Sequence, residues 1–472
     1  MSLLLSPMAK SGTSDFYNGV ATQSLRVSYV SAESYLTKTP DASNRKTHTL
    51  SFWLKRCTLG STQSIIRATG NSDTTTTDIW FDSNDKLEYM GTSSYWRVTN
   101  QRFRDTSSWY HFVIVTDTVQ SGATFDNANT IKIYVNGTQV TSFSDTANMA
   151  EDTAYGIGGN VAHTWGKGLG NFDGYFAEIN FIDGLALDEE SFGQFKNGVW
   201  VAKRYAGAYG TEGYHLEFKQ TATGTAGTGT IGADTSGLNN HFTSNGMDVW
   251  DSNKPDCPEN NFCTFNSQEF DENGGALAFS EGNLKMSNIN SNIGSTFGFG
   301  TQGGKYYWEY LYLSTTGNHV QGVTLQKDGI ALTNAFSTGV ALYFDDGTTR
   351  VDGTSGTGFG AQIGAGSIIQ FKLDLDNGTL QFGKNNTFIT ALTLPTSIGG
   401  WRAGGVQAGG SGGTRVLVAN YGQDSSFAGA KTAATNTDEN GIGNFFYAVP
   451  SGFLAVCSSN LPEPTIGPNS DT

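Results

Sequence analysis

Glu178 and Asp183, in the run Glu-Ile-Asn-Phe-Ile-Asp, come nearest in this chain to two carboxylates that could share one reaction. A retaining glycosidase needs such a pair roughly 5–5.5 Å apart, so on a strand both must point to the same side. Side chains alternate along a strand, which puts Glu178 and Asn180 on one side and Asp183 on the other. Glu309 stands alone among tyrosines. The expectation is a protein that is not an enzyme, and no catalytic residue is assigned. The six histidines, His48, His111, His163, His215, His241 and His319, form no i, i+4 pair and no His-x-His, so no transition-metal site is expected. A Walker loop is absent too. Binding chemistry is better represented. A ring that stacks on the C–H face of a sugar needs hydrogen-bonding neighbours, and two inter-strand runs supply both: Tyr95-Trp96-Arg97 and His163-Thr164-Trp165. Tyr95, Trp96, Arg97, His163 and Trp165 are therefore candidate glycan contacts, with burial as the alternative for each aromatic. Trp53, Trp109 and Trp308 lie inside strands and are read as core.

The elements that must position these residues are strands. Charged residues make up 15% of the chain, 61 residues are Gly, and 30 Phe, 19 Tyr and 9 Trp supply large side chains to bury. No window sustains a helical apolar stripe. The class expected is all-β, two antiparallel β-sandwich (jelly-roll) domains, with short strands and glycine-rich turns. In the run Thr49–Arg56, Leu50, Phe52 and Leu54 alternate with Ser51, Trp53 and Lys55, the period of a half-buried strand. Trp109–Val115 is apolar on both faces and should be central. The run Ile79–Tyr89 reads as a hairpin turning at Ser83-Asn84. Asn136-Gly137 offers a type I′ hairpin turn, and Asp346-Gly347 and Asn377-Gly378 mark two more. In Phe172–Phe195, Tyr175, Ala177, Ile179 and Phe181 should share one face, and Asp188 should cap a short helix ending near Phe195.

Residues 1–26 read as an N-terminal docking arm, 27–250 as a first sandwich, 251–261 as a linker, 262–457 as a second sandwich and 458–472 as a tail. The Gly/Thr/Ala stretch 219–235 also looks linker-like. The formal net charge of −15, from 43 acidic and 28 basic residues, argues against nucleic-acid binding. Four cysteines, Cys57, Cys257, Cys263 and Cys457, are too few for a disulfide framework and are read as reduced, with a Cys263–Cys457 contact left open. The opening MSLLLSPMAK lacks a basic n-region and is not read as a secretory signal. No run is apolar and long enough to insert in a membrane.

The runs WYHFVIVTDT, IKIYVNG and FDGYFAEINFIDGLAL resemble a laminin-G/concanavalin A-like lectin domain. GGKYYWEY and IIQFKLDLDNGTLQF are similar to the SPRY β-sandwich. The segment from Asn420 to Ile466 resembles a terminal signature that accompanies this pair in virion proteins of tailed bacteriophages, notably marine ones. The resemblance covers most of the chain. It implies a virion surface protein of tail-fibre or adhesin type, assembled in the host cytoplasm and exposed on the particle, that binds host surface polysaccharide without cleaving it. It equally allows a capsid-associated fibre or decoration protein with a structural role, and more remotely a polysaccharide depolymerase. Its partners would be other virion proteins, met through the arm, and the state by analogy a homotrimer. Relatives often continue past LPEPTI, so no further shaft or tip domain is expected here. Laminin-G-like domains often hold Ca²⁺, and the family pattern places Asp173, Asp234 and Asn239 in ligand-bearing loops. Asx turns are the alternative for Asp234 and Asn239.

Overall fold

The alternation in Thr47–Arg56 does build a central strand, because each of its faces meets a different apolar layer. In the computed structural model, Leu50, Phe52 and Leu54 enter the main core of the N-terminal unit, while Trp53 packs with Tyr175 and Ala177 on the opposite face. The structure describes residues 16–28, 33–41, 43–72, 74–122, 124–270, 277–287, 293–299, 303–314, 321–327, 340–344, 348–351, 354–359, 363–394, 401–408 and 416–461. These fall into two compact units, divided between Glu259 and Asn260. The chain is all-β with antiparallel sheets.

In the N-terminal unit the strands are β1 (Leu25–Val27), β2 (Tyr35–Lys38), β3 (Thr47–Arg56), β4 (Gln63–Thr69), β5 (Thr77–Phe81), β6 (Lys86–Met90), β7 (Tyr95–Arg102), β8 (Tyr110–Asp117), β9 (Ile131–Val135), β10 (Thr138–Gln139), β11 (Phe143–Asp145), β12 (Ala162–Trp165), β13 (Gly174–Asp183), β14 (Gly193–Lys196), β15 (Val199–Ala202), β16 (Tyr214–Leu216) and β17 (Thr243–Asn245). One sheet runs β1-β13-β3-β8-β9-β10, with β16 on β13. The other runs β11-β7-β6-β5-β4-β12-β2-β17. Their inner faces close over Phe52, Phe112, Ile79, Tyr89 and Phe176. As expected, β8 is central and buried on both faces, Phe112 and Ile114 inward, Val113 and Val115 outward. The β9–β10 hairpin turns at Asn136 (φ 49°) and Gly137 (φ 75°), the positive pair a type I′ turn requires.

Five expectations are corrected. A bulge in β13, where Ala177 faces Trp53 but Asn180 faces Ser51, resets the alternation, because one extra residue shifts the period. Phe176, Ile179 and Phe181 point inward, and Tyr175 and Ala177 outward. The helix after Asp188 is one 3-10 turn, Glu189–Ser191, ended by the β14–β15 hairpin. The described part of the supposed arm, residues 16–26, is built into the sandwich: Leu25 pairs with Phe176, and Ser24 exchanges backbone hydrogen bonds with Lys254. Nor is 251–261 a linker. Asp251 and Asp256 neutralise the buried cations Arg26 (2.9 Å) and Lys55 (3.0 Å). The stretch 219–235 likewise folds onto the unit, with Ile231 fully buried.

The C-terminal unit is organised by the strand Lys305–Ser314, paired with Ile368–Asp374 on one side and Val416–Asn420 on the other. Tyr306, Trp308, Tyr310 and Tyr312 point inward, as their spacing predicts, and Trp308 stacks on Phe371 at 4.7 Å. On the other face Tyr307 meets Phe262 and Phe445, and Leu311 meets Phe427. Strands Val340–Phe344 and Thr349–Val351 pair, while their turn at Asp346-Gly347 lies outside the described residues, as do His319, residues 1–15 and 462–472. All four cysteines are buried. Cys263 N–H donates to Val456 O (3.0 Å), so the two ends of the unit do meet. The thiols pack on opposite faces, Cys263 with Phe265 and Tyr310 and Cys457 with Phe445, which is why they do not bridge.

Candidate functional site

The outer face of the eight-stranded sheet gathers the groups a sugar-binding surface needs. On β5, Ile79 and Phe81 point into the core, which turns Asp78 and Trp80 outward. Directly paired residues share a face, so the register Thr37–Thr164–Arg67–Asp78 runs one outward row across four strands, and Ser64–Trp80–Glu88 runs another. A bulge in β4 at Ile65 lets Ser64 and Arg67 both face out. Tyr35, two residues before Thr37, joins them.

Trp80 is half-buried, and its Nε1–H donates to Glu88 Oε2 at 2.6 Å, which fixes the ring's rotation. Arg67 Nη1 and Ser64 Oγ each donate to Asp78 Oδ2 at 3.2 Å. Burial pushes the Asp78 carboxyl up to about 6, against the opposing pull of Arg67. Burial also raises Glu88, and the Trp80 hydrogen bond opposes it. The loop 166–171 crosses this face. Lys167 Nζ sits 4.5 Å from the Tyr35 ring centre and pairs with Glu33. Thr164 Oγ1 donates to Lys167 O and Leu169 N–H to Ser64 Oγ. Such closeness needs glycine: a Cβ on Gly168 would lie 2.1 Å from Ser64 Oγ, and one on Gly170 2.1 Å from Thr62 O. The result is a shallow surface on which the Trp80 and Tyr35 rings, Arg67 and Lys167 are only partly covered, while Asp78 (1% exposed) and Glu88 (8%) are buried beneath them. Ring faces carry negative charge density that attracts the polarised C–H groups of a sugar, and Arg67 and Lys167 supply donors for hydroxyls.

Of the five residues put forward from sequence, one remains at the surface. Tyr95 is 40% exposed. Trp96, 2% exposed, packs edge-on against Tyr89 (5.6 Å) and Tyr155 (4.8 Å) in the core. Arg97 is buried, its guanidinium spent on the backbone carbonyls of Trp96 (2.6 Å) and Asn127 (2.8 Å). Trp165, 1% exposed, points inward, packs on Phe52 and Phe176 and donates to Tyr214 Oη (3.0 Å). His163 also points inward. Its Nδ1–H donates to Val161 O and its Nε2 accepts from Gly158 N–H, and burial brings it down to about 4. It borders a recess with Lys38, Glu212 and Tyr214 that has room for about one water molecule. These aromatics are core because each sits at an inward position of its strand, which the runs alone do not reveal.

The calcium ligands do not assemble. Asp173 Oδ2 accepts from Thr58 Oγ1 (2.6 Å) at the start of β13. Asp234 accepts from the N–H groups of His215 (2.8 Å), Ser236 (2.9 Å) and Asn240 (2.8 Å), the Asx-turn alternative. Asn239 contributes a positive φ of 61° to the same turn. His215 lies beside Asn180, so the two aspartates are separated by about 20 Å of β13. Among the described residues no three or more His, Cys, Asp or Glu side chains are grouped to hold a metal ion. Glu178 and Asp183 also go separate ways. Glu178 accepts from His215 Nε2 at 2.7 Å, and Asp183 accepts from the N–H groups of Asn44, Thr211 and Glu212. Glu309 is not alone: it accepts from Tyr307 Oη (2.9 Å), Asn420 Nδ2 (3.2 Å), Phe446 N (2.9 Å) and Tyr447 N (2.8 Å). Tyr35, Arg67, Asp78, Trp80, Glu88 and Lys167 were missed. The inward phase of Ile79 and Phe81 is the signal that could have placed Asp78 and Trp80 outside.

Residues 30–190, which include β2 to β13, match the laminin-G-type family model described as the concanavalin A-like lectin/glucanases superfamily. The N-terminal unit thus has a concanavalin A-like lectin fold. Among solved structures, the chain is similar to the SPRY domain of human HERC1 (17% identity, 33% of this chain, 96% of that one, TM-score 0.29). It is similar to a putative carbohydrate binding protein from Bacteroides ovatus (16% identity, 48% and 58% covered, TM-score 0.32). It is also similar to domain 4 of AbnA, an extracellular arabinanase from Geobacillus stearothermophilus in complex with arabinotriose (19% identity, 31% and 66% covered, TM-score 0.22). A search of the curated proteins finds no match.

Proposed function

We propose that this chain is a surface protein of a tailed-bacteriophage virion, of tail-fibre or adhesin type, that binds a host surface polysaccharide without cleaving it. The binding surface is the outer face of the eight-stranded sheet. The observation that carries this reading is Trp80: a half-exposed ring, locked by Glu88, on the same face as the Arg67–Asp78 pair and Tyr35 beneath Lys167. The lectin-type fold of the unit supports it. Binding without hydrolysis is favoured because Asp78 is held by Arg67 and Ser64, and Glu88 by Trp80. The phage assignment rests on the order of sequence signatures and on the run from Asn420 to Ile466.

The test is binding of the purified full chain to a panel of bacterial surface polysaccharides, with Trp80→Ala and Arg67→Ala beside the wild type. Loss of binding is expected in both variants, at unchanged melting temperature for Trp80→Ala and a lowered one for Arg67→Ala, which leaves the buried Asp78 without its cation. Undiminished binding by both variants overturns the site. Release of reducing ends would instead make the protein a depolymerase. Antibody labelling of particles separates a tail-tip adhesin from a protein spread over the capsid.

A further inference from the structure

On the opposite side of the N-terminal unit, the outer face of the seven-stranded sheet buries a lysine against an aspartate. Lys55 points outward from β3, on the same side as Ser51 and Trp53. The segment 251–257 crosses over it, held in place by its own backbone. Ser24 and Lys254 exchange two hydrogen bonds of 3.1 Å, Arg26 N–H donates to Asp251 O (2.7 Å), and Ser24 Oγ donates to Asp256 O (2.6 Å). Lys55 Nζ lies 3.0 Å from Asp256 Oδ2, and both side chains are fully buried. The other carboxylate oxygen, Oδ1, accepts from Trp109 Nε1 at 3.3 Å. The Tyr175 ring lies 5.8 Å from Nζ, and Tyr175, Trp109 and Cys57 pack in one buried cluster. Burial drives both the Cys57 thiol and the Tyr175 phenol upward.

An amine and a carboxyl at this distance are in near-attack range, where holding the partners together replaces a bimolecular encounter. In water the separate ions win because both are well solvated. With both side chains fully buried, bulk solvation is lost and burying the two charges is costly, so the neutral amide and a departing water gain relative to the pair. We propose that Lys55 and Asp256 join in an intramolecular amide bond.

The step balances without a co-reactant. A proton passes from Nζ to Oδ2, leaving a free amine and a carboxylic acid. The nitrogen lone pair attacks Cγ, and charge develops on Oδ1, where the Trp109 N–H stabilises it. A second proton from nitrogen reaches Oδ2, the Cγ–Oδ2 bond breaks, and water leaves. The Nζ–Cγ bond then ties β3 to the last segment of the unit.

The experiment is intact-mass spectrometry of the purified, denatured full chain, followed by tandem mass spectrometry of its protease fragments. The expected wild-type mass is one water below the sequence mass, with a branched fragment joining the peptides that hold Lys55 and Asp256. Asp256→Ala should recover its full sequence mass. The full sequence mass in the wild type, even after prolonged storage, overturns the proposal. A water loss that persists in Asp256→Ala also overturns it, because it points to succinimide at an Asp-Gly step such as Asp183-Gly184. The wild-type fragment map decides the matter even if the variant fails to fold.

Discussion

Glu309 should make the C-terminal unit less stable as pH rises. Its carboxylate is buried at the centre of a β-strand and takes four donors, two of them the N–H groups of Phe446 and Tyr447. Those donors favour the charged form, but burial outweighs them and pushes the group from 4.5 to about 7. Between those values the folded chain holds a proton that the unfolded chain has lost. Stability from this group is therefore full below pH 4.5 and falls as pH rises towards 7, by about 3 kcal/mol. Glu309→Gln keeps the shape and removes the titration. It also turns an amide N–H₂ towards N–H donors, at a cost of roughly 1–3 kcal/mol. Glu309→Ala orphans all four donors, and at roughly 1 kcal/mol each the loss is about 4 kcal/mol. Urea unfolding at pH 5 and pH 8, followed by hydrogen exchange in residues 305–314, reads both effects. If wild type and Glu309→Gln show the same pH slope, the reasoning about Glu309 is refuted.

The N-terminal unit should respond to pH in the opposite direction. His48 and His111 are brought down to about 3 and His163 to about 4 by burial, and neither ring nitrogen of His48 has a hydrogen-bond partner among the described residues. Folded, they stay neutral while the unfolded chain takes up protons below 6.5, so stability present above that pH is lost as it falls towards 4; a urea midpoint unchanged between pH 7 and pH 4.5 would contradict this. Trp165→Ala and Trp96→Ala should each cost about 3–5 kcal/mol as core truncations, whereas Trp80→Ala should leave the melting temperature within a degree or two of wild type. Gly168→Leu should lift the loop 166–171 from Ser64 and raise amide exchange at Leu169, with polysaccharide binding reduced several-fold; unchanged exchange there would show the loop is not held by that contact.

Much of the fold was legible because local pattern and tertiary burial agree in the central strands. The alternation of Leu50, Phe52 and Leu54, the Asn136-Gly137 turn and the row Tyr306 to Tyr312 are each decided within a few residues. The β13 bulge was not, because strict alternation has no place for an extra residue, and Glu178 reveals its φ of 47° only once His215 is set opposite it. The segment 251–261 reads as a linker for a similar reason. Its aspartates are polar in sequence, but their cations, Arg26 and Lys55, lie more than two hundred residues away. The binding face was hidden too. Tyr35, Arg67, Trp80 and Glu88 come from four strands, and pairing register alone makes them neighbours. Trp96 and Trp165 illustrate the converse, aromatic runs with polar company that nonetheless point into the core.

The placement of Asp251 and Asp256 also sets the order of events during synthesis. The chain leaves the ribosome N-terminus first, so β1 and β3 emerge long before the two carboxylates that neutralise them. Until residue 256 has cleared the exit tunnel, the nascent sandwich has to keep Arg26 and Lys55 hydrated, and its seven-stranded sheet open on one side. Completion of the first module is thereby timed to the moment translation reaches the second.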